Sequence, residues 1–155
     1  MANVHKLTRD HQVASYQFGA ICRLLAAGPF AKLDLASVTA QIIPPVRLNQ
    51  VHVCEDHRGI PTGFTSWAYL TAQKAAEFED NAEAVLLLED WNEGTHLWLI
   101  DVVCVRGDVR ELLRETAKRA LKGHTWINAR RSRNELGQHL VRTRLSRRFL
   151  NSLTS

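Results

Sequence analysis

Residues 96–108 read HLWLIDVVCVRGD. The first part is rich in aliphatic, β-branched and aromatic side chains, the composition of a buried strand. Asp101 stands in the middle of it. Alternation along a strand predicts Leu97, Leu99, Asp101 and Val103 on one face, with His96, Trp98, Ile100 and Cys104 on the other. An ionised carboxylate on an apolar strand is costly unless it is paired or hydrogen-bonded. Burial raises its pKa and a nearby cation lowers it again. Such a residue suits a catalytic base or a group that orients one. The structural alternative is an aspartate satisfied by backbone N–H groups or by an arginine.

Downstream, Arg106, Gly107 and Asp108 lead into VRELLRETAKRALKG, the clearest helix in the chain. Val109, Leu112, Leu113, Thr116, Ala117 and Ala120 form one stripe at helical spacing, and the charged residues lie away from it. Glu115 and Arg119 are placed for an i,i+4 pair. A strand, a glycine loop and a helix start together form a general phosphate-holding device, with unpaired N–H groups at the helix start and a cation in Arg106. The same arrangement also serves as an ordinary corner.

Upstream, HQVASYQFGAICRLLAAG is predicted helical, with Ala14, Phe18, Ile21 and Leu25 on one side, Asp10 as its cap and Gly28-Pro29 as its stop. LDLASVTAQII forms a second short helix closed by Pro44-Pro45. RLNQVHVCEDHRGIPTGFTSWAYL reads as a β-hairpin turning at DHRG. TAQKAAEFED is a helix capped by Thr71. AVLLLEDW and HLWLIDVVCV, joined by NEG, read as a second hairpin. TWINA is a short strand, and the basic tail NELGQHLVRTRLSRRFLNSL is expected to be a helix weakened by Gly137. This order describes a single-domain α/β (α+β) fold over residues 1–155, with a mixed sheet flanked by helices.

Composition narrows the function. The apolar content is that of a globular chain of 155 residues, enough for one core. No apolar run is long enough to span a bilayer. The N-terminus lacks a secretory h-region. Cys22, Cys54 and Cys104 are odd in number and widely spaced, which speaks against a disulfide framework and against a CxxC zinc site. The expectation is a cytoplasmic protein with no metal. Residues 1–100 carry 7 Lys/Arg and 11 Asp/Glu, a net of −4, whereas residues 101–155 carry 13 and 5, a net of +8. A basic segment of that kind can attract nucleic acid, a membrane surface or an acidic protein. It shows no helix-turn-helix pattern and no aromatic platform among its arginines, so nucleic acid is the weaker reading.

Three segments in order, IIPPVRLNQ (42–50), GFTSWAYLT (63–71) and LEDWNEGTHLWLIDVVCVRGD (88–108) followed by a helix, resemble the RTX toxin-activating lysine acyltransferases. The resemblance runs over roughly residues 17–122 and weakens over the basic part, 123–155. It implies a fold similar to the Gcn5-related N-acetyltransferases. It also implies transfer of a fatty acyl group from acyl carrier protein, or from acyl-CoA, to a side-chain amine of a polypeptide. The thioester is then a co-substrate rather than a tightly bound cofactor. The acceptor would be a lysine of a protein toxin, or a lysine or ornithine of a ribosomal peptide. A homodimer is consistent with the family. Asp101 falls on the family's catalytic aspartate. Arg47 lies in the matching RxNQ segment, where it would pair with Asp101 or with a donor phosphate. Ser66 would donate near the thioester, and Arg106, Gly107 and Asp108 would hold the donor arm.

One departure stands out. The family's Ser-Pro-x-His pattern after the first helix is replaced by Gly28-Pro29-Phe30-Ala31-Lys32. His11, His52, His57, His96, His124 and His139 have no local support as substitutes. His96 is predicted on the far face, about 16 Å from Asp101 at a rise of ~3.3 Å per residue. Asp101 itself could deprotonate the incoming ammonium, and Cys104 could form an acyl-thioester, although it lacks a nearby base in sequence. The rival classes are an inactive acyltransferase-like binding protein and a basic nucleic-acid-binding module. Trp67, Trp91 and Trp98 are expected in the core or along an acyl channel.

Overall fold

The computed structural model describes residues 2–27, 31–81, 84–132 and 140–146. The chain forms α1 (Ala2–Ala26), α2 (Leu35–Arg47), β1 (Val51–Glu55), β2 (Pro61–Leu70), α3 (Ala72–Asp80), a 3₁₀ turn (Leu88–Trp91), β3 (His96–Cys104), α4 (Val109–Ala120), β4 (Trp126–Ser132) and β5 (Leu140–Ser146). The five strands lie in one sheet in chain order. All neighbours are antiparallel except β3 and β4, which are parallel and joined through α4.

The sheet is covered on both faces. Ile21, Leu24 and Leu25 of α1, with Val38, Ile42 and Val46 of α2, pack on Val51, Phe64 and Val103. On the same face α3 brings Ala75 and Phe78 against Ala68, Leu70, Trp91 and Trp98. On the other face α4 lays Ala117 and Ala120 against Trp67, Leu97, Leu99 and Ile127. The α4 stripe is the predicted one from Leu112 onward, with Leu112, Thr116, Ala117 and Ala120 buried, whereas Val109, expected in it, is exposed at the helix start. Its expected Glu115–Arg119 pair does not form. Glu115 binds Lys118 instead, at 2.6 Å.

Several sequence expectations change. Helix α1 starts at Ala2, so Asp10 lies inside it rather than capping it. Helix α2 runs through Pro44 and Pro45 to Arg47. Proline removes a helical N–H and normally breaks a helix. Here both rings are buried, and the carbonyls of Pro44 and Pro45 accept from the N–H groups of Leu48 (3.0 Å) and Gln50 (2.8 Å), so the turn closes past them. The β1–β2 hairpin forms as read, with Asp56 Oδ1 accepting from the backbone N–H groups of Arg58 and Ile60 in its turn. Thr71 caps α3 as read, accepting from the Lys74 N–H.

The second expected hairpin is absent among the described residues. AVLLLEDW is not a strand; it ends in the 3₁₀ turn. Asp90 causes this, because its Oδ2 accepts from the Leu87 N–H at 2.7 Å and closes the turn locally. Gly94 then presses on β2, and a Cβ there would lie 1.9 Å from the Leu70 carbonyl oxygen. The basic tail also differs, since residues 140–146 form β5 rather than a helix. Val141, Thr143 and Leu145 alternate with Arg142 and Arg144, a strand pattern. Gly137 lies outside the described residues.

Candidate active site

The register between β2 and β3 decides where Asp101 points. Ser66 pairs with Asp101 but Trp67 pairs with Leu99, so Ile100 is an extra residue on β3. Such a bulge turns the strand and re-aims side chains, and bulges are frequent beside active sites. It overturns the simple alternation. Asp101 shares its face with Ser66, Phe64, Ala68 and Trp98, the face covered by α1, α2 and α3. Leu97 and Leu99 face α4. His96, paired with Leu70, is on the Asp101 face after all, but it is exposed at the far end of the strand.

Asp101 is partly buried and lines a cavity of about 180 Å³ with Gln41, Phe78, Ala84, Leu86, Trp91 and Ile100. Phe78, Ala84, Leu86, Trp91 and Ile100 give it apolar side chains, and Gln41 and Asp101 give it polar ones. The Ser66 hydroxyl, itself fully buried, donates to Asp101 Oδ2. Among the described residues no arginine or lysine pairs with Asp101, and Ser66 is its side-chain hydrogen-bond partner. Burial pushes the Asp101 carboxyl above the ordinary carboxylate range, and the Ser66 hydrogen bond opposes this only in part. The carboxylate is thus held beside a small cavity, with Ser66 as its one described side-chain hydrogen-bond partner.

On the β4 side, β3 has no described strand partner beyond Leu99. Strands β3 and β4 pair at Trp98–Asn128 and Leu99–Ala129, and the bulge follows directly. Asn128, buried, donates its side-chain N–H to the Leu97 carbonyl at 3.1 Å and fastens the two strands at that point.

Trp91 forms the cavity wall at the 3₁₀ turn. It is 2% exposed, and among the described residues its Nε1–H has no hydrogen-bond partner. The neighbouring Gln50 donates from Nε2 to Asn92 Oδ1 at 2.9 Å, whereas its Oε1 is likewise buried without a partner. Leaving such a group unsatisfied costs roughly 1–3 kcal/mol. Trp67 and Trp98 are core residues, and Trp98 meets Phe78 edge-on at 5.5 Å.

The other residues singled out from sequence lie elsewhere. Arg106, Gly107 and Asp108 line a cavity of about 320 Å³ with Cys54, Cys104 and Glu111. This cavity is on the α4 face. Gly107 has φ 94°, a left-handed turn that favours glycine. Asp108 caps α4, its Oδ1 accepting from the Arg110 N–H at 2.8 Å. Arg106 reaches Asp56 at 3.9 Å. Glu55, Asp56, Asp108 and Glu111 all border this space, so Arg106 is the cation that it offers an anion. Arg47 is exposed and lines a third, wide groove with Asp10, His11, Ser15 and Asn49. The structure therefore joins Asp101 to Ser66 and separates both from Arg47 and from the 106–108 loop. Trp91, expected in the core or along an acyl channel, lines the Asp101 cavity, and Ile100 joins it without a sequence signal, because the bulge leaves no local mark in the sequence.

No described histidine lines the Asp101 cavity. His52 is half-buried on the α4 face, with Nε2 3.4 Å from Cys54 Sγ. Burial, reinforced by Arg119, holds its pKa down. His124 stacks obliquely near Tyr69. Cys104 is exposed and its thiol donates to the Arg106 carbonyl at 3.3 Å. Burial of the thiol, then the Asp108 charge, raises its pKa, which disfavours the nucleophilic thiolate. Positions 28–30, in the stretch where the Ser-Pro-x-His pattern would fall, lie outside the described residues. Among the described residues no group of His, Cys, Asp and Glu is arranged to hold a metal ion. Nor is any described helix long and apolar enough to cross a membrane.

The chain is similar to known lysine acyltransferases. The chain is 31% identical over 118 residues to the RTX-III toxin-activating lysine-acyltransferase of Actinobacillus pleuropneumoniae, covering 76% of this chain and 65% of that protein. It is 29% identical over 91 residues to the protein-lysine myristoyltransferase of Escherichia coli, covering 58% of this chain and 51% of that protein. It is 27% identical over 79 residues to a lysine-acyltransferase of Vibrio cholerae, about half of each chain. The chain thus spans between about half and two thirds of the length of these relatives. The RTX toxin acyltransferase family profile matches residues 11–144, which extends past the motif-bearing span into β5. The chain belongs to the RTX toxin acyltransferase family.

Proposed function

We propose that this protein is an N-acyltransferase that moves a fatty acyl group from a thioester donor to a side-chain amine of a polypeptide. The observation that carries this reading is Asp101, a carboxylate held by Ser66 at the edge of a small cavity and, among the described residues, not tied to an arginine. The relatives are named as lysine acyltransferases, which supports the same chemistry. In the reaction the amine nitrogen attacks the thioester carbonyl. The new N–C bond forms, the C–S bond breaks, and the ammonium proton passes to Asp101. A carboxyl with a raised pKa is a better acceptor for that proton than an ordinary one. The departing thiolate takes up a proton and leaves as the thiol.

The cavity is smaller than the roughly 300–1,000 Å³ of a typical small-molecule site. It suits part of an acyl chain, with Phe78, Ala84, Leu86 and Ile100 as its apolar walls. The β4-side flank of β3 beyond Leu99 offers backbone groups to the amides of a pantetheine arm. Acyl carrier protein is the proposed donor and acyl-CoA its alternative. For Arg106 to meet the phosphate of either, the donor arm would have to pass round to the α4 face, where Gly107 allows a close approach. The 13 Lys/Arg of residues 101–155 suit an acidic carrier, and the steering would weaken with salt. The acceptor is a toxin lysine, or a lysine or ornithine of a ribosomal peptide. The setting is the cytoplasm, and assembly as a homodimer fits the family. The lost Ser-Pro-x-His pattern favours one second reading, a binding protein without turnover.

Intact-mass analysis tests the proposal. The protein is incubated with acyl-carrier-protein thioesters of increasing chain length and with lysine- or ornithine-bearing acceptor peptides. One acyl increment on the acceptor, stable to hydroxylamine, is expected. Donor binding without any increment at any chain length would favour the second reading.

A further inference from the structure

The buried indole N–H of Trp91 lacks a partner among the described residues, while its ring forms the wall of the cavity that Asp101 borders. Buried tryptophans usually find an acceptor for this hydrogen. The ring is 2% exposed and packed among Ala68, Leu70, Ala75, Phe78, Ala84 and Trp98. Asp90 closes the 3₁₀ turn on the Leu87 N–H and also receives Lys74 Nζ at 3.3 Å. On the other side the Gly94 N–H donates to the Tyr69 carbonyl at 2.8 Å, and the absent side chain of Gly94 lets that segment lie on β2. The backbone that carries the indole is thus fixed on both sides of Trp91, at a cavity lined also by Phe78, Leu86 and Ile100.

We propose that Trp91 Nε1–H is the hydrogen-bond donor to the carbonyl oxygen of an acyl thioester held beside Asp101. This inference rests on reading that cavity as the acyl-transfer site. The chemistry requires such a donor, because the carbonyl oxygen gains negative charge as the amine adds, and a preorganised donor in a dry site stabilises it most. An indole is suited to the task next to a base. It donates only, never accepts, and so does not compete with Asp101 for the amine's proton. The division of labour is then complete: Asp101 takes the proton and Trp91 holds the oxygen. Trp91 would be a catalytic residue of this chain by direct contact with the reacting group. The competing occupant is a water bridging Trp91 Nε1–H to Gln50 Oε1, the other buried polar atom without a partner.

Indole ¹H–¹⁵N spectra separate the two. The chain has four tryptophans, and the Trp91 signal is assigned by NOEs in the wild-type protein and by its loss in Trp91→Phe. The probe is a ketone analogue of a fatty acyl pantetheine, with methylene in place of sulfur. Contact with its carbonyl moves the Trp91 proton resonance downfield and slows its exchange with solvent. In the transfer assay Trp91→Phe lowers kcat on the order of 10²-fold, with KM nearly unchanged. A Trp91 resonance unmoved at saturating analogue overturns the inference and leaves the bridging water. So does a Trp91→Phe enzyme with wild-type kcat while the wild type transfers acyl groups, which leaves the acyltransferase reading standing. A wild-type protein that transfers nothing overturns both. The wild-type spectra decide the matter even if Trp91→Phe does not fold.

Discussion

Ser66 and Asp101 face each other across β2 and β3, Asp101 directly following the bulge at Ile100, and the serine hydroxyl donates to the aspartate. Without the extra residue Asp101 would have followed Leu97 and Leu99 into the α4 core. With it, the carboxylate meets a cavity on the opposite face.

That burial has a cost visible in stability. The folded-state pKa of Asp101 is raised, so the folded protein favours the protonated acid. Its contribution is present below the ordinary carboxylate pKa and is lost as the pH rises through the raised folded value. Asp101→Asn removes the ionisation. The variant is expected to melt at a higher temperature than wild type at neutral pH, and the advantage is expected to vanish on acidification. Thermal melts across the pH range check this.

Ser66→Ala removes the one described group that favours the ionised form. The Asp101 pKa moves further upward, and the acidic limb of the pH–rate profile shifts to higher pH. The lost hydrogen bond costs stability by about 1 kcal/mol. A limb that stays in place would detach Ser66 from the titrating group.

Gly94→Ala drives a methyl group into the Leu70 carbonyl, where the ideal Cβ position is 1.9 Å from the oxygen. The backbone must move. A destabilisation of more than about 2 kcal/mol is expected, in the range of severe single substitutions. Denaturant unfolding measures it, and near-UV circular dichroism reports the displaced Trp91.

Ala84→Leu fills part of the cavity wall. Donors with shorter chains are then expected to outcompete longer ones relative to wild type, in a mixed-donor mass assay. The same chain-length preference in both proteins would place the chain elsewhere.

Cys104 is exposed, without a described base at its thiol. Cys104→Ala is therefore expected to transfer acyl groups at the wild-type rate within about a factor of two, since surface substitutions away from a site change little. A large loss would revive a thioester intermediate on that residue.

Much of the fold is legible where period and burial coincide. The stripes of α1 and α4 and the β1–β2 hairpin follow directly from apolar spacing. The failures share a cause: a tertiary contact overrode a local rule. Pro44 and Pro45 stay inside α2 because their rings are buried in the packed face. AVLLLEDW has strand composition, yet Asp90 closes a turn and Gly94 clamps it to β2. Residues 140–146 were read by charge, although their alternation is that of a strand. For the site, Asp101 was legible because a charge on an apolar strand is rare, and Ser66 came from the family motif. Its face was not legible, since the bulge at Ile100 exists only in the pairing with β2. The orphaned Trp91 N–H is likewise a property of packing.

Acyl transfer by Asp101→Asn under single-turnover conditions tests the central claim most directly, with the protein's melting temperature measured alongside. A fall in rate of roughly 10²–10⁴-fold, in a protein at least as stable as wild type at neutral pH, is the predicted result. A folded Asp101→Asn protein that acylates its acceptor at the wild-type rate would contradict the account.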